Sequence, residues 1–345
     1  MSIYQLVCTV ISLILNVILI WLIWKKSPAQ TGRYRWLMMY TACFEIFWGL
    51  FDLPADIIAH SVGCAFIVFR INMPDSILNP EYSSWVVLIY TAIFGASMAL
   101  FASHFIYRYG SIDPSFGKKF TSGWKLGVIL VFPVIYSFWW AGVVRFCFWP
   151  NDDMKEYTRD LIRQTVGEDV ENISYIGTRF YLNDDKDSFD FNPLAWIGVC
   201  QMFFMVGSSM GCVFGFGTFC YIRLSDQLSI VSAAANNLQK QLFYSLVLQT
   251  LIPLVLMHMP ITVYFLCPML NMDLDFASVF VASTITLYPA VDPLPSFCVI
   301  KSYREAIMGF FRTIHVVPPR NTMVGTFTQN SAVKYDAKMG VQIIG

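Results

Sequence analysis

The chain alternates long apolar runs with short polar links, and this pattern restricts the fold more than any motif does. Seven runs, 4–24, 36–59, 85–107, 124–144, 194–221, 243–266 and 276–300, are each long enough to cross a bilayer, which takes about 20 mostly apolar residues. Only 13% of the 345 residues are charged and 56% are hydrophobic, against about 25% charged in an average soluble domain. So much apolar surface needs lipid as its solvent. The expected class is therefore an all-α membrane protein, a bundle of seven spanning helices. The formal net charge is zero, so there is no basic excess to receive a nucleic acid. Most of the nine cysteines, Cys8, Cys43, Cys200, Cys212, Cys220 and Cys298 among them, sit inside apolar runs. There they read as small core residues and not as a disulfide framework.

Lys and Arg orient the bundle. Lys25, Lys26, Arg33 and Arg35 lie between runs one and two, and Arg108, Lys118, Lys119 and Lys125 between three and four. Arg223 and Lys240 flank the link from five to six, and Lys301, Arg304 and Arg312 follow run seven. An odd number of crossings places them all on one side, which makes that side cytoplasmic and the N-terminus external. The opposite link, 145–193, is long and acidic and holds the sequon Asn172-Ile173-Ser174. Asn172 is accordingly expected to carry glycan. Within it, the spacing of Met154, Tyr157, Leu161 and Ile162 predicts a helix. Phe180, Tyr181 and Leu182 before Asn183-Asp184-Asp185 predict a strand entering a turn.

Several residues stand out against the apolar background. Glu45, Asp52 and Asp56 recur at i, i+7 and i+11, one helical face of run two. Carboxylates facing lipid are costly, so these should face the bundle as a polar network or line a wet cavity. Gly207-Ser208-Ser209-Met210-Gly211 fits the hydrolase pattern G-x-S-x-G, but that pattern works at a strand-to-helix turn. Inside a spanning helix, Gly207, Gly211 and Gly215 read instead as a small-residue stripe for close helix approach. That reading makes Gly211→Leu damaging and Ser209→Ala mild. No two of His60, His104, His258 and His315 share a helical i, i+3 or i+4 spacing, which argues against a helix-borne metal site.

The last runs carry helix breakers. Pro253 and Pro260 interrupt run six, where Gln249 could satisfy a freed carbonyl, and Pro289 and Pro293 flank Asp292 in run seven. Such points are weak joints, and Asp292 needs a polar partner, with Arg108 or a group on helix two or three as candidates. Tyr303, Ala306, Ile307, Phe310, Phe311 and Ile314 share one face of the segment 301–315, with Lys301, Arg304 and Arg312 on or beside the polar side. That is an amphipathic helix suited to an anionic lipid surface. The segment 316–345 lacks an apolar period and reads as a disordered cytoplasmic tail, leaving 1–315 as the bundle domain.

The runs LQKQLFYSLVLQTLIPLVLMHMP (238–260) and LYPAVDPLPSFCVIKSYREAI (287–307) resemble the nematode serpentine receptor class r chemoreceptors, the Str family. Supporting segments are YRWLM at 34–38, HFIYRY at 104–109 and ENISYI at 171–176. The resemblance implies a seven-helix olfactory or chemosensory receptor that detects a small, volatile molecule. It also implies coupling to a heterotrimeric G protein, residence in the plasma membrane of sensory cilia, and no enzymatic activity or cofactor. Arg108 then takes the place of the arginine that ends helix three in rhodopsin-like receptors, with Tyr107 where an Asp would precede it. Ser232-Ala233-Ala234-Ala235-Asn236 departs from the Ser-x-x-Thr-Arg of the family. No cysteine stands at the outer end of helix three, so the usual bridge from there to the outer loop is not expected.

An apolar aromatic cavity in the outer half should then hold the ligand, with Asp56, Tyr90, His258, Tyr264, Phe280 and Thr284 as candidate contacts. Arg108, Pro253, Pro289, Asp292 and Pro293 are the candidate switch residues, and a second copy of the chain is a candidate partner beside lipid and G protein. The alternative is a channel or transporter whose ion path runs along Glu45, Asp52 and Asp56.

Overall fold

The computed structural model describes residues 3–72, 80–165, 167–182, 190–226, 233–270, 272 and 277–313. The turn at Asn183–Asp185, Ser232, Phe276, Ile314, His315 and the tail 316–345 lie outside the described residues. The chain forms a bundle of helices with a three-stranded sheet at one end. Helix α1 is Ile3–Lys26 and α2 is Tyr34–Ala55. Strands β1 (Ile58–Val62) and β2 (Ala65–Ile71) follow, then the long α3, Pro80–Ile112. Next come α4 (Lys125–Cys147), α5 (Asp152–Thr165), β3 (Ile173–Arg179) and α6 (Pro193–Asp226). The sixth span is α7 (Ala233–Pro253) and α8 (Met259–Met269), joined by a π-helical turn over Leu254–His258. The seventh is α9 (Ser278–Val291) and α10 (Leu294–Val299), and α11 is Lys301–Thr313.

Five helical stretches among the described residues are long and apolar enough to cross a membrane: 3–26, 82–112, 125–147, 193–226 and 236–269. The other two spans carry the polar chemistry: α2 buries Glu45 and Asp52, and the seventh is broken beside the buried Asp292.

Helix two ends sooner than the apolar run suggests. Pro54 lies in its last turn, and Asp56 caps it in a left-handed conformation at φ 47°, its N–H donating to the Asp52 carbonyl at 3.1 Å. The chain then reverses into the β1–β2 hairpin, which begins at the end of run two and fills the link to run three. β3 pairs antiparallel with β2, Val68 opposite Ile176 and Phe66 opposite Thr178. The strand expected at 180–182 therefore lies just upstream, at Ile173–Arg179, and Tyr181 makes an isolated bridge to Phe191. Alternation sorts the two faces of this sheet. Ile67 and Phe69 pack with Met154 and Ile162 of α5, while Phe66 and Val68 belong to the main core.

The close helix approaches are not where the glycine stripe placed them. A Cβ on Gly207, Gly211 or Gly215 would meet nothing within 4 Å. On Gly95 of α3 it would lie 2.7 Å from the Trp140 ring of α4, and on Gly198 of α6 it would lie 2.6 Å from Phe148. Ser209, two positions from Gly207 and Gly211 and so on the opposite side of the helix, is buried and donates to the Met98 carbonyl of α3 at 2.8 Å. Packing between α3 and α6 runs through the serine, because its side of the helix faces inward. Cysteines divide similarly: Cys8, Cys64, Cys220 and Cys267 are buried, whereas Cys43, Cys200 and Cys298 are exposed on the outer surface and not in the core. No disulfide forms among the described residues.

Residues 308–345 cluster as a second unit, described only for 308–313, where Phe310 and Phe311 pack edge to face at 5.9 Å. In the first unit, Tyr303 of α11 is fully buried and its hydroxyl pairs with Ser27 Oγ at 2.6 Å.

Candidate functional site

Beneath the sheet lies a cavity of about 390 Å³. Its wall is largely apolar, and Phe66 from β2, Phe94 from α3, Trp140 from α4, Phe203 from α6 and Phe265 from α8 add aromatic faces to it. Ile176 and Thr178 of β3 form part of the lid side. The space is the size of a small-molecule pocket and has the apolar lining such pockets show.

One corner is polar. Asp52 is buried, and its carboxylate accepts from Gln5 Nε2 of α1 at 3.0 Å and from the Tyr90 hydroxyl of α3 at 3.1 Å. Gln5 also donates to the Asp52 carbonyl at 3.1 Å, and Thr286 of α9 lines the same cavity. Asp56 lines the same corner from the helix cap.

Of the six ligand contacts expected from the sequence, Asp56 and Tyr90 stand in the cavity wall, and the other four do not. Tyr264 is buried in the core, where its hydroxyl accepts from the Ser61 backbone N–H at 3.0 Å and ties α8 to the hairpin. His258 lies behind the wall: its ring is 5.3 Å from that of Phe94, and Nε2 is 3.5 Å from Ser97 Oγ. Thr284 donates to its own helix at the Val281 carbonyl, and Phe280 points outward, 62% exposed. The rotation of each helix puts the side chains of these four away from the cavity. Phe265 and Thr286, which the sequence reading missed, carry no signal that separates them from their apolar neighbours.

A second polar cluster lies deeper. Asp292 is fully buried and accepts from Gln249 Nε2 of α7 at 3.2 Å. Gln249 Oε1 accepts from Ser296 Oγ, which also pairs with Ser245 at 3.1 Å. Gln249 therefore serves Asp292 and not a freed proline carbonyl. Glu45 of α2 is also within hydrogen-bond reach of Asp292. The two other acidic residues of helix two go elsewhere: Asp52 opens on the cavity and Asp56 leaves the helix. Trp48 and Tyr288 bridge the two clusters, Trp48 lying 5.1 Å from the Tyr90 ring and 6.0 Å from that of Tyr288.

Arg108 does not reach Asp292. It is buried, donates through Nη2 to the Gln239 carbonyl of α7 at 2.7 Å, and stacks its guanidinium 5.0 Å over Tyr34. His104, one turn back, bridges Tyr34 at 3.2 Å and Thr41 at 2.7 Å, fastening α3 to α2. In the sheet region Asn172 is exposed, and Ser174 of its sequon accepts from Asn72 at 3.0 Å. Lys155 pairs with Glu171 at 2.7 Å and holds that carboxyl below the usual glutamate range.

Comparison with known proteins agrees with this architecture. Residues 1–308 match the family model described as serpentine type 7TM GPCR chemoreceptor Str. The chain is 33% identical over 304 residues to G-protein coupled receptor str-217 of Caenorhabditis elegans, covering 87% of this chain and 86% of that one. It is 28% identical over 306 residues to serpentine receptor class r-10 of the same species, covering 86% of each, and 27% identical over 303 residues to its Caenorhabditis briggsae counterpart, again covering 86% of each. That family is one of receptors and not of enzymes. Spanning helices, an apolar cavity between them and a match across nearly the whole bundle lead to one conclusion: the chain belongs to the Str family of seven-transmembrane G-protein-coupled chemoreceptors.

Proposed function

We propose that this receptor detects a small, volatile molecule in the cavity under the sheet and activates a heterotrimeric G protein at the opposite end of the bundle. The observation that carries the reading is the cavity itself: about 390 Å³, mostly apolar, with the two carboxylates of its wall, Asp52 and Asp56, at one corner. Asp56 and Tyr90 are the ligand contacts retained in this reading, joined by Asp52. Trp48 and Tyr288 link the occupied cavity to Asp292, which accepts from Gln249 of α7 and lies beside Glu45 of α2. The prolines at 253, 289 and 293 let those helices move as segments, and Arg108 fastens α3 to α7 until they do. A ligand biases this equilibrium only by binding one arrangement better than the other.

The protein then sits in the plasma membrane of a ciliated chemosensory neuron, with the sheet and a glycosylated Asn172 outside and α11 on the cytoplasmic leaflet. The test is a screen of small volatiles against cells expressing the receptor, with cyclic-nucleotide or calcium readout. Responses lost when Val206 in the cavity wall becomes Trp support the reading; responses indifferent to that change overturn it.

A further inference from the structure

The polar corner of the cavity has a direction. Tyr90 spends its hydroxyl hydrogen on Asp52, Gln5 directs an N–H at the same carboxylate, and Thr286 lines the same cavity. The oxygens of such a carboxylate present lone pairs, and the neighbours that donate to it here are neutral and bring no counter-charge. A hydroxyl that donates to Asp52 offers only its lone pairs to the cavity. A ligand group at that corner therefore gains hydrogen bonds only if it brings hydrogens of its own. Ketones, aldehydes and esters bring none, and a carboxylate would meet like charge.

Charge narrows the class further. The described cavity wall contains two carboxylates, Asp52 and Asp56, and no Lys, Arg or His. Asp56 lies near the Arg70 guanidinium of β2. Asp52 faces the cavity with neutral donors around it, in a low-dielectric setting where a counter-charge has large effect. The remaining wall supplies aromatic faces, which favour a cation as well as a hydrocarbon body. Asp56 also holds a left-handed backbone conformation that few non-glycine residues adopt, with φ 47°. This conformation turns the chain out of α2 at the edge of the same corner.

Resting on the reading of this cavity as the ligand site, we propose that it takes a small apolar amine in its protonated form, with the ammonium group against Asp52 and the hydrocarbon body among Phe94, Trp140 and Phe265. The three N–H bonds of the ammonium meet the Asp52 carboxylate and the lone pairs of Tyr90 and Thr286.

The test uses the full chain in lipid nanodiscs and reads the shift of Tm with added ligand. The probes are primary amines from butylamine to heptylamine, with the alcohols and methyl ketones of the same lengths. The amines should raise Tm at the lowest concentrations, the alcohols at higher ones, and the ketones least of all. Asp52→Asn should weaken the amines by about tenfold or more, as expected for a lost charge-assisted hydrogen bond, and leave the alcohols within about threefold. If Asp52→Asn does not fold, Tyr90→Phe, which removes an acceptor from the same corner, should weaken the amines in the same direction. The proposal is overturned if no amine raises Tm, if the ketones match the amines, or if a folded Asp52→Asn binds amines as wild type does. Val206→Trp separates the two levels. Neutral ligands that bind and are excluded by Val206→Trp sink the amine inference and leave the cavity reading intact. Amine binding that survives Val206→Trp sinks the cavity reading itself.

Discussion

Asn16 of α1 donates its side-chain N–H to the backbone carbonyl of Pro289 in α9, at 3.3 Å. That carbonyl is the one whose helical partner would be the N–H of residue 293, and residue 293 is proline. Asn16 supplies from a neighbouring helix the hydrogen that Pro293 cannot give. In hydrocarbon such a debt must be met from within the protein. The break in the seventh span is thus sealed by the first. Asn16→Ala should lower the Tm of the purified receptor, at a cost of about 1–3 kcal/mol for an orphaned buried acceptor. In a Pro293→Ala background, where the backbone N–H returns, the same change should cost clearly less. Equal costs in the two backgrounds would show that the bond does not serve the break.

Asp292 joins α7, α2 and the broken span through Gln249 and Glu45. Asp292→Asn preserves shape and hydrogen-bonding capacity but removes the acidic proton and charge. If this cluster is the joint that the proposed signalling uses, basal or maximal G-protein activation should change by more than the ligand midpoint does. Dose–response curves at matched surface expression measure this, and a shift in midpoint alone would exclude the joint.

Glycine substitutions separate the two faces of the bundle. Gly95→Leu drives a side chain into Trp140, which is also cavity wall, so surface delivery should fall severely, in line with overpacking costs of about 1–3 kcal/mol or more. Gly211→Leu meets open space in the same chain and should leave delivery near wild type. Ser209→Ala, by contrast, should lose about 1 kcal/mol, because it removes the bond to the Met98 carbonyl. Flow cytometry of tagged receptor compares all three, and the opposite ranking would restore the stripe as the packing face.

Asp113, just beyond α3, caps the short turn that follows. Its carboxyl is held below the usual aspartate range by the Ser115 hydroxyl first, then the Phe116 N–H and the nearby Arg223. A depressed value means that this stabilisation is present above the unfolded aspartate pKa of about 3.9 and is lost as pH falls through the lower folded value. Asp113→Ala should therefore lower Tm at neutral pH, and the gap to wild type should close as the medium is taken below about pH 4. A gap independent of pH would assign the effect to something other than the charge.

Much of this receptor was legible in the residues alone. Apolar run length determined the spanning helices, because lipid accepts only segments whose backbone is satisfied internally. The spacing of Met154, Tyr157, Leu161 and Ile162 announced α5, and the segments 238–260 and 287–307 pointed to the family. Tertiary structure decided the rest. A spanning helix is apolar on every side, so periodicity does not say which way it is rotated. That rotation put Phe280 outside, Tyr264 under the hairpin and Ser209, in place of Gly211, against α3. It also decided that Glu45 meets Asp292 while Asp52 opens on the cavity, two fates for carboxylates on one helix. The hairpin at 58–71 escaped notice for a related reason: its longer strand, β2, is buried on both faces and its sequence carries no polar alternation. Which acceptor Asn16 serves depends on a proline 273 residues away, a pairing that only the packed bundle creates.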